Sequence, residues 1–170
     1  PVYAGWDDHD YGANDGDKSF KYKEESQEIF KTFFSSNNSL LSQGKGIGYH
    51  FNLRGNDFYV LDNRSFRDSK TNKKGGHFGR DQKNWLYRNI KKSQSKYSWI
   101  VSGDQFFGDY HPFESFQKLH NKKFHQFLNE LGSLKKKVLF ISGDRHLSEI
   151  MSIPKKFLGY KTFEITSSGM

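Results

Sequence analysis

Five carboxylates stand within Trp6-Asp7-Asp8-His9-Asp10-Tyr11-Gly12-Ala13-Asn14-Asp15-Gly16-Asp17, although the chain as a whole carries a formal charge of +8. The local sign is opposite to the global one, and that inversion needs a cause. Crowded carboxylates repel one another and take up protons unless a cation neutralises them, and an oxygen-rich cluster with one imidazole suits a divalent or trivalent metal. The competing reading is a solvated Asp/Gly/Asn turn whose side chains bond their own backbone.

A second cluster favours the metal. Ser142-Gly143-Asp144-Arg145-His146 directly follows the apolar run Val138-Leu139-Phe140-Ile141. Extended chain repeats every second residue, so a buried strand ending in Gly could aim Asp144 and His146 at one point. Chemistry in open α/β sheets sits at the carboxyl ends of strands. Further along, Arg64 offers a planar fork that can hold a phosphate oxygen in a way Lys cannot reproduce, although an Asp62–Arg64 ion pair fixing the strand end is an equal alternative.

With these residues in view, a resemblance emerges. WDDHDYGAND (Trp6 to Asp15), FYVLDNRSFR (Phe58 to Arg67), GRDQKNWL (Gly79 to Leu86), WIVSGDQ (Trp99 to Gln105), VLFISGDRHLSE (Val138 to Glu149) and EITSSGM (Glu164 to Met170) resemble the PhoD-like alkaline phosphatases of the calcineurin-like metallophosphoesterase superfamily. The blocks follow the family's order along nearly the whole chain. The resemblance implies that Asp8-His9 stands for the Asn-His pair of the GNH[DE] motif, giving Asp8 as a metal ligand and His9 as a catalytic imidazole. It implies in the same way that Asp144 and His146 are the late ligand pair. Asp7, Asn14, Asp15, Asp62, Gln105 and Arg145 are then expected around the ligands or the substrate, with Ca, Fe or both as the metals. The family's early Asp-bearing motifs have no match here, so the chain reads as the C-terminal portion of a catalytic domain, truncated at both ends. The implied fold is α/β: a β-sandwich flanked by helices.

Composition is consistent with one domain and an unusual core. Apolar residues make up 34% of the 170, yet aromatics reach 17% with 17 Phe, so rings must supply much of the core volume. Cys is absent, which rules out disulfides and thiolate ligands in this stretch. No run approaches a membrane span. The basic balance, with pI near 9.5, reads either as attraction for a phosphate-bearing substrate or as a solvated lysine surface, because blocks such as Lys135-Lys136-Lys137 fall at expected element ends.

The elements that must position these residues are legible from periodicity. Residues 1–5 read as a strand tail, followed by the acidic loop and a helix from about Asp17 or Ser19 to Phe34 that buries Ile29, Phe30, Phe33 and Phe34. Asn37-Asn38-Ser39 should end it, with a flexible Gly-rich loop over 43–48 lacking the Lys-Ser/Thr of a P-loop. Tyr49 to Arg54 and Asp57 to Asp62 form a hairpin about Gly55-Asn56, and an exposed loop, with His77 on its surface, runs to Gly79. A helix over Arg80–Lys92, a strand over Tyr97–Ser102, one long helix over Phe113–Leu131, and strands over 138–141, 147–153 and 163–165 complete the pattern.

The function expected is a metal-dependent phosphoesterase acting on phosphomonoesters or phosphodiesters. Two rivals stand beside it: a diesterase specialised for nucleic acid or phospholipid, and a non-enzymatic basic module that binds nucleic acid. The second leaves the acidic cluster unexplained, because carboxylates repel phosphate, so nucleic acid enters chiefly as a possible substrate.

Overall fold

A computed structural model describes residues 2–34, 40–41, 46–110 and 115–168. The expected turn at Asn37-Asn38-Ser39, the start of the Gly-rich loop at Gln43 to Lys45 and the segment from His111 to Phe113 lie outside the described residues. Among the described residues, seven strands form one mixed sheet. They are β1 (Leu40–Leu41), β2 (Tyr49–Leu53), β3 (Asn56–Val60), β4 (Ser98–Val101), β5 (Val138–Ser142), β6 (Ser148–Ile153) and β7 (Thr162–Ser167). Their order across the sheet is β1-β2-β3-β4-β5-β7-β6. The helices are α1 (Asp8–Tyr11), α2 (Lys23–Phe34), α3 (Arg80–Lys92), α4 (Phe116–Leu119) and α5 (Asn121–Ser133). The sheet flanked by helices is the architecture the sequence led us to expect, and a second sheet that would close a sandwich is not among the described residues.

The pairing follows from side-chain alternation. β3, β4, β5 and β7 are parallel, joined by crossovers that carry α3 and then α4 and α5. One sheet face presents Tyr59, Ile100 and Phe140, which pack against Leu86 and Ile90 of α3 and Phe124, Phe127, Leu128 and Leu131 of α5. All of these are almost completely buried, and each such aliphatic or aromatic side chain contributes about 1.5–3 kcal/mol when removed from water. Phe rings dominate as composition implies: Phe78, Phe106, Phe116, Phe127 and Phe140 meet at centroid distances of 4.8–6.3 Å. On the opposite face, Phe51, Phe58, Trp99 and Leu139 align in register, with Phe51–Phe58 and Phe58–Trp99 stacked at 4.9 and 5.8 Å. That row is only half covered.

Several local expectations are corrected. Residues 2–5 form no strand, because β1 already occupies the edge of β2 and the segment is held by side chains instead. Tyr3 stacks on Phe51 at 3.6 Å, and the Tyr49 hydroxyl donates to the Ala4 carbonyl at 3.1 Å. The hairpin turn is Arg54-Gly55 rather than Gly55-Asn56: both residues have positive φ (50° and 74°), as a type I′ turn requires, and Leu53 pairs with Asn56. α2 begins at Lys23 and does not bury its rings. Ile29, Phe33 and Phe34 are 60%, 78% and 46% exposed, whereas Gln27 is buried, donating to Ser65 Oγ at 2.9 Å and accepting from Gly46 N at 3.1 Å. Only Phe30 of that stripe reaches the small cluster of Trp6, Tyr11 and Ile47.

The single helix expected to end at Leu131 is two. His120, at φ −128° and ψ 51°, interrupts the helical dihedrals between α4 and α5. The predicted inner stripe (Phe116, His120, Phe124, Phe127, Leu128, Leu131) is nonetheless buried throughout. No helix among the described residues is long and apolar enough to cross a membrane.

Candidate metal centre and cleft

Because β3, β4 and β5 run parallel, the residues just beyond their carboxyl ends gather on one rim: Asp62 and Asn63, Asp104, and Asp144. The acidic segment comes to the same rim from the other side, and it is a single helical turn, α1, rather than an open loop. A Cβ on Gly103 would lie 2.2 Å from the Trp6 carbonyl oxygen and 2.8 Å from Asp7 Cβ, so glycine at the end of β4 is what lets the acidic segment approach this closely. Trp6 anchors the entry by donating its indole N–H to Asp62 Oδ1 at 3.0 Å.

Asp7, Asp8 and Asp144 present carboxylate oxygens that all lie within 4.8 Å of one another. Asp8 is held by backbone donors, His9 N on Oδ1 at 2.9 Å and Asp15 N on Oδ2 at 3.0 Å. Asp7 Oδ1 accepts from Asn63 Nδ2 at 2.6 Å and from Arg64 Nε at 2.7 Å, while its Oδ2 is buried with no hydrogen-bond partner. Asn63 Nδ2 donates also to Asp104 Oδ1 at 2.9 Å; two carboxylate acceptors fix which way the amide faces, and Asn63 Oδ1 is left buried and unpartnered. Burial and the nearby Asp104 and Asp144 charges push the Asp7 carboxyl well above its ordinary range, against the opposing pull of Arg64. Three converging carboxylates and two orphaned buried oxygens fit a hard cation, which would supply the missing partners.

Beside the triad opens a cleft of about 580 Å³ lined by Asp8, His9, Asn14, Asp15, Asp144, Arg145 and His146, with Lys70, Lys73 and Lys118 on its rim. The sequence-derived residues divide accordingly. Asp8 and Asp144 meet as expected, and Asp7, expected only around them, joins them. His146 shares the cleft but stays outside the carboxylate group, and it is exposed. The alternation argument for Asp144 and His146 is overturned: both adopt left-handed backbone, φ 67° and 51°, in a turn rather than a strand. Arg64, expected on a phosphate oxygen, is fully buried away from the cleft, its fork engaged by Asp7 and, at 3.3 Å, by the Gly16 carbonyl. Asp62 accepts from Trp6 Nε1 and from the backbone N–H of Ile47, Arg64 and Ser65. Gln105 is buried against Thr166 Oγ1 (2.8 Å) and Glu149 (3.3 Å), outside the cleft lining.

Sequence reasoning also missed a buried cluster behind the triad. His77, expected on the surface, is completely buried, with Nε2 2.7 Å from Asp104 Oδ2 and Nδ1 2.9 Å from His120 Nδ1. Burial lowers the His77 pKa to about 4, outweighing the attraction of Asp104. Burial alone would raise Asp104, but His77 and Arg67 hold it well below its ordinary value. Asp104 Oδ1 accepts from Asn63 Nδ2 and Ser102 Oγ and its Oδ2 faces His77 Nε2, the arrangement of an acceptor carboxylate beside an imidazole N–H.

This sets a pH dependence. Between pH 6.5 and about 4 the unfolded chain binds a proton at His77 that the folded chain does not, so this contribution to stability falls as pH falls through that window. Glu164 acts oppositely: buried, its carboxyl is pushed up to about 7, so its contribution falls as pH rises from 4.5 to 7. Comparing His77→Gln with wild type cancels Glu164. Urea unfolding at pH 7 and pH 4.5 should show the wild type losing more stability on acidification than the variant, by on the order of 2 kcal/mol. Equal pH responses would show that His77 is not held neutral.

A mixed α/β sheet with carboxylates converging at the carboxyl ends of its parallel strands defines a class of fold, and one solved structure gives it a particular counterpart. The structure titled "Structure of PhoD" superposes with a TM-score of 0.76 at 17% sequence identity, covering 97% of this chain. The chain spans 39% of the length of that protein. No family model and no curated protein matches the sequence.

Proposed function

We propose that this chain belongs to a metal-dependent phosphoesterase acting on phosphomonoesters or phosphodiesters. The observation that carries the reading is the triad of Asp7, Asp8 and Asp144 with the orphaned Asp7 Oδ2 and Asn63 Oδ1 behind it, opening on a cleft rimmed by three lysines. The PhoD-like fold and the motif resemblance support it. Asp7, Asp8, Asp144 and Asn63 would hold the ion, with His146 of the same cleft as an imidazole ligand. An all-oxygen set suits Ca, and His146 suits Fe. Bound there, a metal supplies a Lewis acid for phosphate oxygens and a water of lowered pKa. Lys70, Lys73 and Lys118 draw the phosphate to the cleft as compact charges. His9, exposed on α1 and lining the cleft, protonates the leaving oxygen.

Elemental analysis tests the ligand set. The intact protein should bind metal, and the doubly substituted Asp144→Ala/His146→Ala protein should show reduced stoichiometry and hydrolyse a chromogenic phosphate ester correspondingly less. A full metal complement in that variant would leave Asp144 as a turn residue and defeat the assignment. Turnover of mono- and diester substrates side by side, nucleic acid among them, decides the ester class.

A further inference from the structure

The His77–His120 pair has no part in the chemistry above, yet it closes a chain of hydrogen bonds onto the metal centre. His120 Nδ1 lies 2.9 Å from His77 Nδ1, His77 Nε2 lies 2.7 Å from Asp104 Oδ2, Asp104 Oδ1 accepts from Asn63 Nδ2 at 2.9 Å, and that nitrogen donates to Asp7 Oδ1 at 2.6 Å. Each link fixes the next. An anionic Asp104 can only accept, so His77 must carry its proton on Nε2, which leaves the Nδ1 lone pair facing His120. Two facing lone pairs at that distance would repel, so the 2.9 Å contact calls for hydrogen on His120 Nδ1, and it outweighs the longer, weaker approach of His120 Nε2 to the Ser69 carbonyl at 3.4 Å. His120 can present that nitrogen because it sits at the break between α4 and α5, with backbone outside the helical region. The residue that interrupts the helix is thus the one that begins the chain.

We propose that His120 is a positioning residue for the metal centre: its Nδ1–H selects the Nε2–H tautomer of His77, which holds Asp104 and through it the amide of Asn63, keeping Asn63 Oδ1 free for the ion. Without that donor, His77 can move its proton to Nδ1. Its Nε2 lone pair then meets the Asp104 carboxylate, the Asp104–Asn63 contact loosens, and the amide is free to turn. Partners one step behind a metal ligand set its orientation, and their loss typically costs about 10- to 100-fold in affinity. This inference rests on the metal reading above.

The two amide substitutions of His120 separate positioning from packing. In His120→Asn the amide nitrogen stands where Nδ1 stood and still donates. In His120→Gln the amide extends to the position of Nε2 and the Nδ1 donor is gone, with more volume retained. Metal affinity of the intact protein is measured by calorimetry with Ca and with Fe, and the His77 tautomer by imidazole ¹⁵N shifts. The expected result is affinity within about 3-fold of wild type for His120→Asn and about 10- to 100-fold weaker for His120→Gln, with a single Nε2–H tautomer of His77 only in the first. Wild-type affinity and tautomer in His120→Gln would overturn the proposal, as would equal losses in both variants. A wild type that binds neither metal would sink the phosphoesterase reading instead, and the ¹⁵N comparison would still decide the tautomer claim.

Discussion

An Asp7→Ala protein is expected to lose its metal and several kcal/mol of stability together, because one carboxylate serves both. Arg64 is fully buried and its guanidinium meets Asp7 through two nitrogens, Nε at 2.7 Å and Nη2 at 2.6 Å. Removing one partner of a buried ion pair leaves the other charge less well compensated in a poor solvent, at a cost of up to about 3–5 kcal/mol. The same substitution takes one of three carboxylates from the triad and releases Asn63 Nδ2 from its shortest acceptor. The two effects can be separated with Asp7→Ala/Arg64→Met, which removes both charges of the pair. Chemical denaturation should show most of the lost stability restored in the double variant, while elemental analysis should show metal still depleted. If Asp7→Ala keeps its metal, the triad is not the site. If Arg64→Met fails to restore stability, the ion pair is not what Asp7 contributes to the fold.

His9→Ala is expected to lower turnover of a phosphate ester by about 10² to 10⁴ while metal content stays at the wild-type level. The geometry separates the two properties. His9 supplies its backbone N–H to Asp8 Oδ1, a contact alanine keeps, whereas the imidazole is exposed, lines the cleft and makes no hydrogen bond among the described residues. In the proposed reaction this imidazole would give a proton to the leaving oxygen, so the effect should grow with the pKa of the leaving alcohol. Comparing a nitrophenyl ester with an alkyl ester gives that dependence directly. Loss of metal from His9→Ala would turn the residue into a ligand, and unchanged kinetics would remove it from the reaction.

The fold was legible wherever a local pattern decided the outcome. α3 falls on Arg80–Lys92 as periodicity indicates, and β4 and β5 coincide with the apolar runs Trp99–Val101 and Val138–Ile141 that mark them in the sequence. Patterns misled where two local rules coincide. The stripe from Phe116 through His120 to Phe127 keeps helical spacing across the break, so nothing in the spacing reveals that His120 leaves the helix to meet a ring 43 residues away. His77 was unreadable for the same reason: its surroundings are Lys, Asn and Gly, and its burial depends on Asp104 and His120 arriving from elsewhere. α2 shows the converse. Its apolar residues predicted a buried face, but only Phe30 meets the Trp6 cluster, and polar Gln27 takes the inward position through two specific hydrogen bonds.

At the site, residue types were more legible than roles. The crowding of Asp7 and Asp8 pointed to a cation, and the triad with Asp144 follows that expectation. Which carboxylate joins directly, and that Arg64 meets Asp7, depends on α1 folding back over Gly103, a close approach invisible in local spacing. Asn63 had a signal, standing between Asp62 and Arg64 at the end of a buried strand, but nothing in the sequence distinguished its orphaned oxygen from an ordinary strand-end amide.

The left-handed backbone at Asp144 and His146 places the cleft on the wrong side of an optimisation for thermal robustness. A side chain in that region costs on the order of 1 kcal/mol relative to glycine, and both positions bear one. A search that scored variants by melting temperature alone would therefore favour glycine at 144 and 146, and each gain would delete a carboxylate or an imidazole from the mouth of the cleft. With the ligand roles proposed for Asp144 and His146, heat resistance and function are opposed at these two positions by the sign of one dihedral angle, so a hardened version of this protein must find its added stability elsewhere, in the exposed apolar residues of α2 or the half-covered row on the sheet.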